Sequence, residues 1–509
     1  MKAIRDQVLG TSHYSLVMNS GYLITGVGDT VENWKGQKVV ILGAARQGLS
    51  LARYLSGHGA RVVVSDRRPA SELRAAQEAL AGLPVSWVLG GHPLSLLDGT
   101  DLLCPSGGVP LSIPLVGEAR ARGIPLSNDS QIFLEAAPCP VVGITGSAGK
   151  TTTTTLVGRM AEESSNLQLL NRAWVGGNIG APLIAVVDEM QADDLAVMEL
   201  SSFQLEIMSL SPQVGAVLNV TPNHLDRHAS MKAYAEAKAR ILDFQSPVDT
   251  AVLGRDDPGA WALRDRVRGR LLSFGLSEPP PGQAGTFLQG DTLYLRLSVK
   301  DQGIWDKGAG QEPLSPVPLS LVPLMSRQDI LLRGEHNLVN VLAACAIATA
   351  AGLPAEAMRA GVEGFRGVPH RLEFVRSWGG ADWYNDSIAT APERAMAAIR
   401  SFDEPLVLLA GGRDKDLPWQ DFAALVRRRV DRLVLFGEAA DKILQAIGTD
   451  PGGLDLRRCA GLQEAVQVAA QIVQPGDVVL LSPGGTSFDE FQDFEERGEC
   501  FVRWVMQLV

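Results

Sequence analysis

Short apolar runs that end in glycine or a polar residue recur along the chain, and they predict the buried strands of parallel sheets. The run at 38–42 precedes a glycine-bearing turn at 43–48, a helical segment at 49–56 and a second apolar run at 61–65. This order predicts one βαβ unit, because parallel strands need a long crossover that is usually a helix. We expect its second strand to end at Asp66.

The same alternation predicts two further blocks. The second block begins near Pro138, contains an apolar strand ending at Glu199 and a helix at 233–244, and continues into a strand-rich extension at 275–329. The third block begins near Gly367 and alternates strands with helices to the end of the chain. We therefore predict an α/β protein whose ligands bind beyond the carboxyl ends of its strands.

Composition narrows the class of protein. A chain of 509 residues with 46% hydrophobic content is long enough for three domains with cores of their own. The net charge of −11 argues against a nucleic-acid partner, and no apolar run reaches the length of a membrane span. The cysteines are scattered without a C-x-x-C pair, which predicts free thiols in the cytoplasm rather than disulfides or a zinc site. They are Cys104, Cys139, Cys345, Cys459 and Cys500.

The residues before the first block do not have the pattern of a signal peptide. We expect 1–34 to be an N-terminal extension, whose residues before Met18 are not made if Met18 is the true start.

The stretch "VVGITGSAGKTT" predicts a phosphate-binding loop. We expect Gly143, Gly146 and Gly149 to turn tightly through positive φ and to point backbone amides at phosphate oxygens. Lys150 is then placed for the β- and γ-phosphates, and the Thr151 hydroxyl for Mg²⁺. The spacing differs from the usual G-x-x-x-x-G-K-[ST], because five residues separate Gly143 from Gly149. A strand–helix corner that merely tolerates glycine is the weaker alternative.

Polar residues at other strand ends are candidates for the same site. A carboxylate at Glu199, close to a phosphate loop, is a plausible Mg²⁺ ligand, although a solvated strand end is the simpler reading. His224 and Asp226 follow another strand, where a histidine more often fixes local hydrogen bonds than binds a ligand. In the first block, Gly43 and Gly48 resemble a dinucleotide fingerprint without its central glycine, so a nicotinamide or any nucleotide diphosphate remains open.

The motifs taken together resemble the Mur ligase family, the ATP-dependent amino-acid ligases of peptidoglycan precursor synthesis. They are "TGSAGKTT", "ELSSFQLE", "NVTPNHLDRH", "GEHNLVN", "PHR", "NDSIAT" and "LLSPGGTSFDEFQDFEERG", in family order from about Trp34 to the C-terminus. The resemblance implies a Rossmann-like UDP-sugar domain at 35–137, a central P-loop ATPase-type domain at 138–366 and a Rossmann-like amino-acid domain at 367–509.

The resemblance also implies roles for individual residues. Lys150, Glu199, His224 and Lys238 are the implied catalytic residues. Two Mg²⁺ ions are implied, with ligands Thr151, Glu199, His224 and Lys238 as a carbamate. The implied ATP-binding residues are Gly146, Ser147, Ala148, Gly149, Lys150, Thr151, Thr152, Asn337, Asn340, His370, Arg371 and Asp386. Those for the UDP-sugar are Arg46, Gln47, Asp66, Arg67, Gly107, Asn178, Ser201, Gln204 and His224, and those for the amino acid are Thr390, Lys415, Ser487 and Phe494.

The implied reaction joins D-glutamate to UDP-N-acetylmuramoyl-L-alanine through an acyl phosphate, in a monomeric cytoplasmic enzyme. Two departures keep L-glutamate as the alternative: Ile388 replaces the lysine of the common "DSKAT", and "SPGGTS" replaces an Ala-Cys-Ala type loop. Folylpolyglutamate synthesis is disfavoured by "ELSSFQLE" and "FEERG". A non-catalytic UDP-sugar-binding regulator is disfavoured because the chain keeps Lys150, Glu199, His224 and Lys238.

Overall fold

The computed structural model describes residues 34–222, 228, 230–297, 320–448 and 453–509. The N-terminal segment up to residue 33, His224 and Asp226 lie outside these residues. The described chain forms two compact units. The first contains 34–325 and Val341–Gly361, and the second contains Ser326–Asn340 and Val362–Val509.

The chain begins with a parallel sheet whose described strands run in the order β3-β2-β1-β4. Its elements are β1 (Lys38–Leu42), α1 (Arg46–Gly57), β2 (Arg61–Asp66), α2 (Arg74–Ala79), β3 (Val85–Leu89), β4 (Leu102–Pro105), α3 (Pro114–Ala121) and α4 (Asp129–Ala136). The predicted βαβ unit is confirmed, but the turn predicted at 43–48 is wrong in its second half, because α1 already begins at Arg46. Gly48 lies in this helix, where a Cβ atom would stand 2.0 Å from the Gly43 carbonyl oxygen.

The next domain is built on a larger sheet with the described strand order β13-β12-β11-β10-β9-β8-β5-β7-β6. The first half contains β5 (Val141–Thr145), α5 (Lys150–Asn166), β6 (Ala173–Gly177), β7 (Leu195–Glu199), α6 (Ser202–Leu205), β8 (Val214–Val217), α7 (Met231–Asp243) and β9 (Thr250–Gly254). The second half contains α8 (Pro258–Trp261), β10 (Arg270–Phe274), β11 (Ala284–Gln289), β12 (Thr292–Leu297), β13 (Ser320–Ser326), α9 (Glu335–Ala350) and α10 (Ala355–Val362). Because β5 lies between β7 and β8 and runs parallel to both, their carboxyl ends meet at one edge.

These first two domains share one hydrophobic core. Val39 and Ile41 of β1 belong to the same buried cluster as Met198 of β7. The single turn at Leu183–Ala185 packs against α1 and α4 and closes the gap between the domains. Burial of apolar surface therefore stabilises the two domains as one unit.

The second unit carries a sheet with the described strand order β14-β15-β19-β16-β17-β18, in which only the β14–β15 pair is antiparallel. Its elements are β14 (Glu373–Trp378), β15 (Ala381–Asn385), α11 (Pro392–Ile399), β16 (Leu406–Gly411), α12 (Gln420–Arg429), β17 (Arg432–Phe436), α13 (Ala440–Ile447), β18 (Asp455–Arg458), α14 (Leu462–Ile472), β19 (Val478–Gly484) and α15 (Phe494–Met506). Buried clusters cover both faces of the sheet, as expected for a doubly wound α/β domain. The ends of β15, β19 and β16 lie side by side.

The five cysteines are free thiols, four of them buried. Among the described helices, none combines the length and the apolar character that crossing a membrane requires.

Candidate active site

The phosphate loop turns through one left-handed glycine rather than three. Gly149 has φ of 80°, as predicted, and it precedes the first residue of α5. The prediction of positive φ at Gly143 and Gly146 is wrong, because Gly143 lies inside strand β5 and Gly146 follows it directly. Space is the constraint at both: an added Cβ would lie 2.5 Å from Pro212 Cγ at Gly143 and 2.9 Å from Leu218 Cβ at Gly146.

The loop is held in place by the segment that follows β8. The Ser147 amide donates to the Asn219 carbonyl at 3.0 Å, and the Ala148 amide donates to Asn219 Oδ1 at 2.8 Å. The Ser147 hydroxyl donates to the Thr221 carbonyl at 2.9 Å and accepts from the Tyr234 hydroxyl at 3.1 Å. The sequence analysis did not predict this role of Asn219, although a side-chain amide directly after a buried strand, as in "LNVTPNHLDRH", indicates a loop-positioning residue.

The phosphate loop ends in the first turn of α5, where unpaired backbone amides attract anions. Lys150 is the first helical residue, and its Nζ donates to the Gly146 carbonyl at 2.9 Å. The Thr151 hydroxyl donates to Glu199 Oε2 at 2.9 Å, and Thr152 is buried behind it. The predicted phosphate-binding residues therefore lie together at one helix N-terminus.

Glu199, at the end of β7, hydrogen-bonds both to the first turn of α5 and to the loop after β6. It ends β7 as predicted, is only 2% exposed, and receives the Asn178 side-chain amide on Oε1 at 2.9 Å. The described residues offer it no arginine or lysine within salt-bridge distance. Together with the Thr151 hydroxyl it offers the hard oxygen donors that Mg²⁺ prefers, so these residues fit the ion. No group of three or more His, Cys, Asp or Glu suited to a metal occurs in the described part of the chain.

Lys238 is a buried lysine beside this carboxylate. It lies on α7, is 1% exposed, and its Nζ donates to the Gly146 carbonyl at 2.9 Å and contacts Thr145 Oγ1 at 3.4 Å. The pKa of Lys238 is lowered to about 6. Burial is the main cause, the charge of Lys150 adds to the shift, and Glu199 opposes it. The amine is therefore largely neutral at pH 7 and carries a free electron pair.

Asp66 organises the first glycine turn rather than standing free. Its carboxylate accepts from the Ala44 amide at 2.8 Å and pairs with the Arg68 guanidinium at 2.9 Å. Burial by itself raises the pKa of Asp66, but hydrogen bonds from Arg68 and Ala44 outweigh it and hold the pKa well below its usual range. Arg67 is exposed beside this pair, so the partner of Asp66 is the neighbouring Arg68, which was not among the predicted residues.

Other residues predicted for the UDP-sugar connect the two domains of the first unit. The Arg46 guanidinium donates to the Gly180 carbonyl at 2.8 Å. Ser201 and Gln204 cap α6 reciprocally, and the Gln204 side chain also donates to the Ser130 hydroxyl at 2.8 Å. A Cβ atom added at Gly107 would lie 3.4 Å from Oε1 of the Gln47 side chain. Arg46 and Gln204 therefore lie at the junction of the two domains, whereas Gln47 and Gly107 contact each other within the first domain.

In the second unit, the "PHR" segment has a strained backbone. His370 has φ of 66° and Leu372 has φ of 45°, values that non-glycine residues seldom adopt. The His370 amide donates to Glu373 Oε2 at 2.8 Å, and its carbonyl accepts from the Ile388 amide at 3.1 Å. Such strain persists only where neighbouring contacts enforce it, and it concentrates at functional sites.

Asp386 is buried next to this segment. Its carboxylate accepts from the Ser482 hydroxyl at 2.8 Å and from the Leu372 amide at 3.3 Å. Burial raises the pKa of Asp386 to about 7, while the Ser482 hydrogen bond and the charge of Arg371 oppose the shift. The buried Nε of Arg371 has no hydrogen-bond partner among the described residues.

Lys415 and Ser487 lie on two loops that pair with each other. Arg413 and Thr486 exchange backbone hydrogen bonds of 2.8 Å in both directions. The charged neighbours of Lys415 are used within the protein: Arg413 pairs with Glu438, and Lys442 pairs with both Asp414 and Asp416. Lys415 itself makes no salt bridge to the described residues, which leaves its charge available to a ligand.

Two residues that the sequence analysis missed, Arg497 and Gly498, complete this region. Arg497 is 0% exposed, and its guanidinium donates to the Gly485 carbonyl at 3.1 Å and to the Ser387 carbonyl at 2.8 Å. At Gly498 a Cβ atom would stand 2.1 Å from His370 Nδ1 and 2.4 Å from Ser387 Oγ. Both residues belong to the "FEERG" motif, which in the sequence analysis indicates only the family.

The remaining predicted residues have local partners. The Phe494 ring lies edge-on to His370, with centroids 6.0 Å apart. The Thr390 amide donates to the Ile388 carbonyl at 2.8 Å. On the first turns of α9, Asn340 Nδ2 donates to Asn337 Oδ1 at 3.0 Å, which places both on one side of the helix as predicted.

Family models match all three parts of the chain. They are the MurD-like N-terminal domain at 37–128, the Mur ligase middle domain at 144–348 and the Mur ligase glutamate ligase domain at 370–485. Among solved structures, UDP-N-acetylmuramate-alanine ligase of Thermotoga maritima has 18% identity and a TM-score of 0.53, covering 92% of this chain and 98% of its own. MurF of Acinetobacter baumannii has 19% identity and a TM-score of 0.51, covering 93% and 92%. These similarities show the three-domain fold.

Curated relatives are more similar in sequence. A protein of Symbiobacterium thermophilum is 40% identical over 93% of this chain and 98% of its own length. A protein of Pelotomaculum thermopropionicum is 38% identical over 94% and 99%. Both are named UDP-N-acetylmuramoylalanine–D-glutamate ligase. The family models and these two relatives show that this chain belongs to the Mur ligase family, whose members are ATP-dependent ligases that form amide bonds.

Proposed function

We propose that the protein adds D-glutamate to UDP-N-acetylmuramoyl-L-alanine. The observation that carries the proposal is the position of Glu199, whose carboxylate hydrogen-bonds both to Thr151 of the phosphate loop and to Asn178. One buried group thereby links the loop suited to ATP to a residue expected at the sugar–peptide substrate. Relatives at 38–40% identity that carry the D-glutamate name support the choice of amino acid.

The reaction forms an acyl phosphate and then an amide. An oxygen of the alanyl carboxylate attacks the γ-phosphorus of ATP, and the bond to the bridging oxygen of ADP breaks. The glutamate nitrogen, after losing a proton, attacks the acyl carbon, and phosphate leaves with its bonding electron pair. Lys150 and the amides of the α5 N-terminus stabilise the negative charge on the transferring phosphoryl group.

Magnesium is the ion that the donor set of the first unit suits. Thr151 and Glu199 are the described residues that would hold it, and the ion would offset phosphate charge when bound. Lys238 fits a carbamate for a physical reason: a neutral amine is the form that attacks CO₂, and its burial keeps it neutral at pH 7. The carbamate would place oxygen donors beside Lys150 and Glu199.

The second unit is proposed to bind the incoming amino acid. Lys415 makes no salt bridge to the described residues, although its loop neighbours Asp414 and Asp416 both do. Ser487 directly follows Thr486 on the loop that pairs with the Lys415 loop. Arg497 fixes the carbonyls of Ser387 and Gly485, so the loops that lead to Thr390 and Ser487 keep one spacing. A cytoplasmic location, ATP as the phosphoryl donor and a monomeric state complete the proposal.

The decisive experiment supplies UDP-N-acetylmuramoyl-L-alanine and MgATP with D-glutamate or L-glutamate in separate reactions. We expect phosphate release and a product heavier by one glutamyl residue with D-glutamate alone. A product with L-glutamate would replace D- by L-glutamate as the substrate. Absence of phosphate release with both enantiomers would overturn the ligase assignment for these substrates.

A further inference from the structure

In the second unit, two arginines lie near one buried carboxylate, and a lysine lies near one of these arginines. The three cations are Arg371, Arg394 and Lys415, and the carboxylate is Asp386. Within the described residues, none of the three cations makes a salt bridge to a carboxylate. The cluster therefore has an excess of positive charge that no protein group neutralises, and such a cluster favours a polyanionic ligand.

Packing at the end of β19 brings Arg394 and Lys415 to the same edge of the sheet. A Cβ atom at Gly484 would lie 3.6 Å from Ala395 Cβ and 3.0 Å from the Trp419 ring. Ala395 follows Arg394 in α11, and the Trp419 indole donates to Asp414, the neighbour of Lys415, at 3.0 Å. Arg394 is therefore next in sequence to a residue that packs at Gly484, and Lys415 is next to the hydrogen-bond partner of another.

The electrostatics agree with this placement. Burial lowers the pKa of Lys415, and the charge of Arg394 lowers it further. Burial likewise lowers the pKa of Arg394, Arg371 adds to the shift, and Asp386 opposes it. A lysine whose charged form is disfavoured by a neighbouring arginine is stabilised when an anion binds beside both.

Arg394 also contacts Ile388, the residue that replaces the lysine of the common "DSKAT" motif. Its Nη1 contacts the Ile388 carbonyl at 3.5 Å, so the guanidinium covers the backbone of the residue that stands where a lysine is common. An acidic amino acid brings two carboxylates, and Lys415 supplies one charge. We infer that Arg394 binds a carboxylate of the incoming acidic amino acid together with Lys415 and thereby supplies the charge that Ile388 lacks.

This inference rests on the proposed function and adds a residue to it. A carboxylate suits this site, because a guanidinium donates two parallel hydrogen bonds to the two oxygens of a carboxylate in one plane. The loop that carries Ser487 pairs with the loop that carries Lys415, so both residues are available to the same ligand. The Arg394 side chain is accessible to solvent, although neighbouring groups partly desolvate its guanidinium, and it is not part of the buried face of α11. Truncating it therefore leaves that face intact.

The test compares Arg394→Ala and Arg394→Met with a matched control, Arg400→Ala, at the exposed end of the same helix. Losing a charge-assisted hydrogen bond should raise KM for glutamate about 10- to 100-fold in both Arg394 variants. KM for ATP and for the UDP-sugar substrate should stay within about twofold, and the control should match the wild type. Partial recovery in the Ile388→Lys/Arg394→Ala double variant would support the charge exchange.

An unchanged KM for glutamate in both Arg394 variants would overturn the inference, as would a rise in KM confined to ATP. Thermal midpoints equal to that of the wild type establish that the variants are folded. A wild-type enzyme that releases no phosphate with either glutamate enantiomer would contradict the proposed function instead, so the two failures are distinguishable.

Discussion

The Thr151 hydroxyl donates a hydrogen bond of 2.9 Å to Glu199, although 48 residues separate the two in the chain. The bond connects the first turn of α5 to the end of β7. Because β5 and β7 are parallel neighbours, the strand end and the helix start necessarily meet at one edge. The Glu199 carboxylate is therefore fixed beside the first turn of α5, where we propose that the phosphoryl group is transferred.

We expect Glu199→Gln to lower kcat at least about 100-fold, because it removes a buried negative charge that suits Mg²⁺ while keeping the side-chain shape. Steady-state phosphate release at several Mg²⁺ concentrations measures the effect. Glu189→Gln, at an exposed position of the same unit, is the matched control. Turnover within about twofold of the wild type would remove Glu199 from the metal site.

Lys238→Ala should lose most activity, because the proposed carbamate oxygens are lost with the amine. Acetate should restore part of the activity by supplying oxygens in the space that the lysine occupied. Lys238→Arg should stay inactive, since a guanidinium remains charged and is not carbamylated in this way. Lys232→Ala is the control, because Lys232 is exposed on the same helix. Full turnover by Lys238→Ala would refute the role.

The strands and the phosphate loop could be predicted from sequence because both are local. The apolar runs at 38–42 and 195–199 form strands with the predicted ends, since period and length are readable within a few residues. The glycine roles were only partly predictable. Gly143 and Gly146 are required by Pro212 and Leu218, which come close only after folding.

Long-range partners were not predictable for the same reason. Arg46 donates to the Gly180 carbonyl, 134 residues away. The contact of the Arg497 guanidinium with the Ser387 carbonyl spans 110 residues. No periodicity encodes such pairs. The burial of Arg497 was not predictable either, because charge in a sequence gives no information on burial.

Gly498→Ala should damage the second unit at the His370 segment. The new methyl group would stand 2.1 Å from His370 Nδ1 and 2.4 Å from Ser387 Oγ, so either the histidine moves or α15 shifts. We expect a loss of activity and a lower thermal midpoint. Gly117→Ala is the control, since Gly117 is also helical, its Cβ would meet nothing, and alanine favours helix by about 0.5–1 kcal/mol. Equal midpoints and activities in both variants would contradict the packing argument.

Asp129 begins α4 at the junction of the first two domains and is 5% exposed. Its Oδ1 has no hydrogen-bond partner among the described residues. Burial raises the pKa of Asp129 from 3.8 to about 6, while hydrogen bonds from its own amide, the Ser130 amide and the Gln204 side chain oppose the shift. The folded protein therefore holds this proton more tightly than the unfolded chain does.

The sign of the pH dependence follows from that difference. Between about pH 4 and pH 6 the folded state binds more protons at this site, so its contribution to the free energy of unfolding falls as pH rises and is constant above. The contribution lost is about 3 kcal/mol. Asp129→Asn removes it, so the thermal midpoint of the first unit, variant minus wild type, should increase from pH 4 to pH 7 by differential scanning calorimetry. The exposed Asp193→Asn serves as control and should show no such trend. A difference for Asp129→Asn that is independent of pH would show that the carboxyl is not protonated preferentially in the folded state.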